Sequence, residues 1–210
     1  MTNILIVDDH AVVRAGLRQI ISGVSGMAVA DEANGGIQEL TKIREKGYSI
    51  VVLDIPMPDK SGLDVLKGIR NEHPKLPVLM LSMYPEYQYA MRALRSGAWG
   101  YMTKDSTPAE QVTAIRTVAA GRKYISANLA ERLANNLDAD MKKEPHEILS
   151  DREYQILCMI ASGKTVSEIA VHFSRKVKTI STNRIRILKK MHLKNNAELT
   201  NYAIRNHLID

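Results

Sequence analysis

Five short apolar runs recur along the first half of the chain, at residues 4–7, 27–30, 50–53, 78–81 and 98–102, and each interval between them is long enough for a helix. A strand covered on both faces reads as an unbroken aliphatic run, whereas a half-covered strand alternates. Strands of this kind, alternating with helices, predict an α/β fold: a five-stranded, doubly wound parallel sheet with helices on both faces. From about residue 126 the strand pattern disappears. Residues 127–137, Ala-Asn-Leu-Ala-Glu-Arg-Leu-Ala-Asn-Asn-Leu, read as one helix, and the charged stretch 138–147, broken by Pro145, reads as a linker. Beyond it, Ser150 followed by Glu153 and Thr165 followed by Glu168 have the spacing of capping boxes, each ahead of a short apolar helix. The chain is therefore divided into an α/β domain over 1–122, a linker with a helix over 123–145, and an all-α domain over 146–210.

Charge separates the same two halves. The net charge of +6 is concentrated at the C-terminus, where residues 146–210 carry five more basic than acidic side chains against one more in residues 1–122. A neutral module joined to a basic one points to a polyanion as partner of the second. Nucleic acid fits better than a membrane surface, because no Trp- or Phe-rich amphipathic face accompanies the bases. No apolar segment approaches the roughly 18 residues of a membrane span, and the N-terminus opens on strand-like Asn-Ile-Leu-Ile-Val, so a cytoplasmic protein is expected. Cys158, the only cysteine, lies among aliphatics and reads as a small buried filler.

The chemistry-bearing residues fall at strand ends. Residues 51–62, Val-Val-Leu-Asp-Ile-Pro-Met-Pro-Asp-Lys-Ser-Gly, run an apolar strand into Asp54 and then break it twice with proline, which has no N–H for a ladder. Asp8 and Asp9 end the first strand, Ser82 the fourth, and Lys104 follows the fifth. In an open parallel sheet these carboxyl ends share one rim, where sites form. Asp8 or Asp9 alone would serve equally well as a helix cap. Three carboxylates on one rim repel one another unless a cation joins them, and an all-oxygen set suits Mg²⁺, to which Pro56 can add its backbone carbonyl. Ser82 and Lys104 supply the hydroxyl and ammonium that phosphoryl oxygens need.

With those residues in place, the first 120 positions resemble the receiver domain of two-component response regulators, a flavodoxin-like fold. The resemblance rests on Asp8-Asp9, Asp54 with Pro58 and Gly62 following, Ser82, and Gly-Ala-Trp-Gly-Tyr-Met-Thr-Lys at 97–104. It implies that Asp54 accepts a phosphoryl group from a sensor histidine kinase, that Asp8, Asp9 and Asp54 hold Mg²⁺, that Ser82 and Lys104 contact the phosphoryl oxygens, and that Tyr101 is a rotating switch aromatic. Asp105 stands where many receivers have proline.

Leu-Ser-Asp-Arg-Glu at 149–153, Ala-Ser-Gly-Lys-Thr-Val-Ser-Glu-Ile-Ala at 161–170, and the basic segment 178–191 resemble the LuxR-type helix-turn-helix domain, which makes the whole chain similar to the NarL/FixJ-type regulators. Helical spacing puts Ile180, Ile187 and Met191 on a core stripe and Lys178, Ser181, Thr182, Ile185 and Lys189 on the opposite face. Ile185 there can meet thymine methyls while Ser181 and Thr182 reach base edges. Lys178, Arg184, Arg186, Lys189 and Lys190 suit phosphates, and Thr179 joins the DNA-contacting set. The segment 196–208 covers the small core, and the resemblance adds homodimerisation on DNA through Leu199, Ala203 and Ile204, with RNA polymerase as a further partner. The expected function is a phosphorylation-controlled transcriptional regulator, not an enzyme. An aspartate-nucleophile phosphohydrolase normally needs a carboxylate two residues after the nucleophile, where Pro56 stands. A flavin protein would need a phosphate loop after the first strand in place of Asp-Asp-His. The uncharged-on-balance linker predicts a flexible tether.

Overall fold

The computed structural model describes all residues except 36–40, 44–45, 59, 84–85, 136–143, 207 and 210. Most of the stretch expected to be the tether lies outside the described residues. Two compact units are formed, Met1–Leu137 and Asp138–Asp210.

In the first unit, strands β1 (Thr2–Val7), β2 (Met27–Ala33), β3 (Ile50–Asp54), β4 (Val78–Ser82) and β5 (Gly100–Thr103) form one parallel sheet in the order β2-β1-β3-β4-β5. The doubly wound sheet is the one that the apolar runs predict. Every residue of β3 and β4 is buried, which is why those runs contain no polar position before their ends. The helices are α1 (Ala11–Ser22), α2 (Gly62–Glu72), α3 (Glu86–Arg95), α4 (Pro108–Ala119) and α5 (Ala127–Asn135). Leu17 and Ile21 of α1 pack with Ala114, Ile115 and Val118 of α4 against Ile4 and Val52 of the sheet. Chain order reverses between β1, which Asp8 directly follows, and β3, which ends in Asp54. A capping box at Thr107, with Glu110 returning to it and Pro108 in the first turn, starts α4 where the chain leaves β5.

The second unit is helical: a 3₁₀ turn (Pro145–Ile148), α6 (Asp151–Ala161), α7 (Val166–His172), α8 (Val177–Lys190) and α9 (Asn196–Arg205). Both predicted capping boxes form, at Ser150/Glu153 and at Thr165/Glu168. The turn between α7 and α8 reverses at Ser174, whose φ of 49° is left-handed. Cys158 is buried. Among the described residues no helix is long and apolar enough to cross a membrane.

Candidate phosphoacceptor site and nucleic-acid interface

The five rim residues meet. Asp8, Asp54 and Ser82 are fully buried side by side at the strand ends. Lys104 leaves β5 beside Ser82, because its N–H donates to the Ser82 carbonyl at 2.8 Å. The Lys104 ammonium then lies 2.7 Å from Asp8 Oδ2 and 2.9 Å from Asp54 Oδ2, and bridges the two carboxylates. Neither Asp8 nor Asp9 caps α1: the N-cap is His10, and Asp8 Oδ1 accepts from the His10 N–H at 2.8 Å. Among the described residues no peptide is cis, so Lys104–Asp105 is trans.

The electrostatics of this cluster are unbalanced. Burial, reinforced by the charge of Asp8, pushes the Asp54 carboxyl up to about 8, with Lys104 offsetting only part of the effect. Burial also works against the Lys104 ammonium, but Asp54 and Asp8 outweigh it and its pKa rises. Asp54 Oδ1 is buried without a hydrogen-bond donor, as is Asp9 Oδ1. Buried oxygens of this kind are costly unless something satisfies them. A divalent cation fits: Asp8, Asp9, His10 and Asp54 each offer a ligand atom, all within 4.8 Å of one another. Pro56 is buried just beyond Asp54.

Gly62 closes the loop that follows Asp54. Its N–H donates to the Ile55 carbonyl at 2.9 Å, and a Cβ placed there would collide with the Asp54 carbonyl oxygen. Tyr101 is wholly buried in β5, so a side chain expected to alternate between exposed and inward positions occupies a covered one.

In the second unit Ile180, Ile187 and Met191 are buried while Lys178, Thr179, Thr182, Ile185, Arg186 and Lys189 are exposed and Ser181 is half-buried. Ile185 is 62% exposed, a large aliphatic side chain set among polar neighbours. Thr182 donates its hydroxyl to the Lys178 carbonyl at 2.9 Å, which leaves its oxygen as an acceptor only. Two residues expected to meet DNA phosphates are held within the unit instead. Lys190 lies 2.6 Å from Glu153 Oε2 at the start of α6, and Arg184 donates to Asn196 Oδ1 at 2.6 Å at the start of α9. The reading of α9 as a dimer face needs correction for two residues: Leu199 and Ala203 are fully buried in this unit's core, and Ile204 alone of the three is exposed. A helix this short, covering a small core, spends its innermost positions on that core.

A parallel α/β unit whose carboxylates and lysine converge on one rim, in one chain with a basic helix-turn-helix unit, defines a phosphorylation switch with a DNA-binding output. Comparison with known proteins agrees. Residues 4–116 match the response regulator receiver domain family, and residues 147–203 match the bacterial regulatory proteins of the luxR family. The chain is 34% identical to the response regulator UvrY of Escherichia coli strain K12, covering 99% of this chain and 96% of that one. It is 35% identical to the response regulator GacA of Pseudomonas viridiflava, covering 100% and 99%. Among solved structures, the response regulator ChrA of a heme-sensing two-component system is 28% identical over 99% of this chain and 98% of that one, with a TM-score of 0.53. RcsB of Salmonella enterica serovar Typhimurium, bound to the P1flhDC promoter with the phosphomimetic BeF₃⁻, is 26% identical over 96% and 97%, with a TM-score of 0.64. The chain belongs to the two-component response regulators, with a receiver domain and a LuxR-type DNA-binding domain. Its partner classes are accordingly a histidine kinase and DNA.

Proposed function

We propose that Asp54 is the phosphoacceptor and that its phosphorylation controls sequence-specific DNA binding through α8. The observation that carries this reading is the Lys104 bridge between Asp8 and Asp54, beside a buried Asp54 oxygen with no donor. Asp54 Oδ1 attacks the phosphorus of a kinase phosphohistidine, the P–N bond breaks, and an acyl phosphate forms. Lys104 then exchanges Asp54 Oδ2 for a phosphoryl oxygen, and the Ser82 hydroxyl donates to another. Mg²⁺ held by Asp8, Asp9, Asp54 and the Pro56 carbonyl would neutralise charge on the transferring oxygens. Phosphotransfer at Asp54 is a signalling event, not a catalytic turnover, and the protein is a regulator acting in the cytoplasm.

On DNA, the exposed stripe of α8 enters the major groove. Ile185 packs against thymine methyls, Ser181 and Thr182 face base edges, and Lys178, Thr179, Arg186 and Lys189 meet the backbone. Arg184 and Lys190 reach phosphates only by leaving Asn196 and Glu153. Two chains on one operator associate through the Ile204 side of α9, which places two copies of α8 in successive major grooves and presents the pair to RNA polymerase. The interface is tested by comparing two variants on one operator and on scrambled DNA. Ile185→Ala changes sequence preference, whereas Lys189→Ala weakens binding to both DNAs and lowers the salt slope by about one unit. The reverse pattern would mean that the helix presents a different face.

A further inference from the structure

A small cavity of about 150 Å³ lies between α1 and α4 against β4, walled by the aliphatic side chains of Val13, Leu17, Ile20 and Leu81. It exists because α1 carries Gly16 at this point: a Cβ there would meet nothing within 4 Å. Helix stability alone would favour alanine at such a position. Two polar side chains also line the cavity, Lys104 and Gln111. The Lys104 ammonium is held between Asp8 and Asp54, so it offers the cavity no free charge. Gln111 of α4 differs. It is 7% exposed, its Nε2 donates to the Ser106 carbonyl at 2.9 Å, and its Oε1 is buried without a donor. Turning the amide over would not help, because Oε1 would then face the Ser106 carbonyl oxygen.

We infer that this cavity is a binding site for a small neutral aromatic molecule of the phenol class, whose hydroxyl donates to Gln111 Oε1. Size, polarity and charge each set part of that chemistry. An apolar cavity of about 150 Å³ accepts one benzene ring, and the walls here are mainly aliphatic. A water molecule is held well only with about two to four polar partners, and the lining side chains offer one unpaired acceptor. A charged ligand would give up its hydration to walls that hold no free opposite charge. A buried acceptor left without a donor is costly, so a ligand that brings one gains more than burial of its ring alone. The site does not depend on the phosphoacceptor reading, although Lys104 borders both.

The test titrates phenol into the full chain and follows binding by NMR, with toluene as the probe of the same shape that lacks the donor. Phenol should shift the methyl resonances of Val13, Leu17 and Leu81 and the side-chain amide of Gln111. It should bind about tenfold more tightly than toluene, the effect of one hydrogen bond to an otherwise unpaired buried group. Gln111→Met keeps the bulk but removes the acceptor, and should bring the two probes to equal affinity. Gly16→Leu fills the cavity and should abolish binding of both, its receiver melting transition showing that it is folded. Val13→Phe fills the same space from the wall and serves where Gly16→Leu does not fold. Absence of phenol binding, shifts confined to other residues, equal affinity of the two probes for the wild type, or binding that survives a folded, filled variant would overturn the site.

Discussion

A small-molecule phosphodonor supplied with Mg²⁺ adds one phosphoryl group to the wild-type chain, and Asp54→Asn takes up none. Asparagine keeps the shape of the side chain but has no carboxylate to attack phosphorus. The product should be labile to hydroxylamine, as an acyl phosphate is, so intact mass before and after that treatment reads both the addition and its chemistry. Equal labelling of Asp54→Asn would place the acceptor elsewhere. Loss of labelling will not reflect unfolding, and pH supplies the control. The Asp54 carboxyl, with an ordinary value near 3.9 in an unfolded chain, is raised to about 8 by burial and by Asp8. The folded protein thus holds a proton that the unfolded chain releases, and without metal its stability falls as pH rises from about 4 to about 8. The raised Lys104 pKa acts only in the alkaline range, where stability gained from its charge is lost as pH rises through its folded value. Asp54→Asn removes the acid-to-neutral decline. Metal-free and near pH 8 it should melt above the wild type, and added Mg²⁺ should raise the wild-type transition more than the variant's.

Gly62→Ala should destabilise the receiver unit and lower its phosphorylation. The added methyl meets the Asp54 carbonyl group and Ile55 Cα, all backbone atoms of the strand end and its loop. A flexible side chain could move aside; a strand anchored in a buried sheet cannot. Overpacking costs about 1–3 kcal/mol in ordinary cores, and backbone collision belongs at the upper end. A loss of roughly 3 kcal/mol lowers the receiver transition by on the order of 10 °C. The second unit should melt as before. An unchanged receiver transition would mean that the loop after Asp54 is looser than its Gly62–Ile55 hydrogen bond indicates.

The sheet and its rim were legible because burial leaves its own mark in sequence. Strands β3 and β4 are covered on both faces, so their runs are purely aliphatic up to the polar residue that ends them, Asp54 and Ser82. Ser150/Glu153 and Thr165/Glu168 were readable for a related reason: a capping box is a local contact whose spacing is fixed by one helical turn. Thr107-Pro108-Ala109-Glu110 carries the same signal ahead of α4 and could have been read in the same way. What escaped was long-range pairing. Lys190 has the composition of a phosphate contact, and only the approach of α6 to α8 gives it Glu153 as a partner. Leu199 and Ala203 follow the helical period of an apolar face, but that period does not say whether the face meets the chain's own core or a second copy. His10 follows two aspartates in the sequence, but the approach of its ring to Asp8 and Asp9 depends on side-chain geometry that spacing does not encode.

The central claim is that phosphate on Asp54 changes DNA binding by α8. It is tested most directly by titrating three species onto one operator at fixed salt: the unmodified full chain, the phosphorylated full chain, and a fragment from Glu147 to Asp210. That fragment falls within the second compact unit and retains α6 to α9. The fragment should bind without phosphorylation, more weakly than a dimer if it is monomeric, and the full chain should gain affinity when phosphorylated, since a modification shifts an equilibrium only by its differential effect on the two states. A full chain that binds equally well in both forms, and as tightly as the fragment, would contradict gating of DNA binding by the receiver.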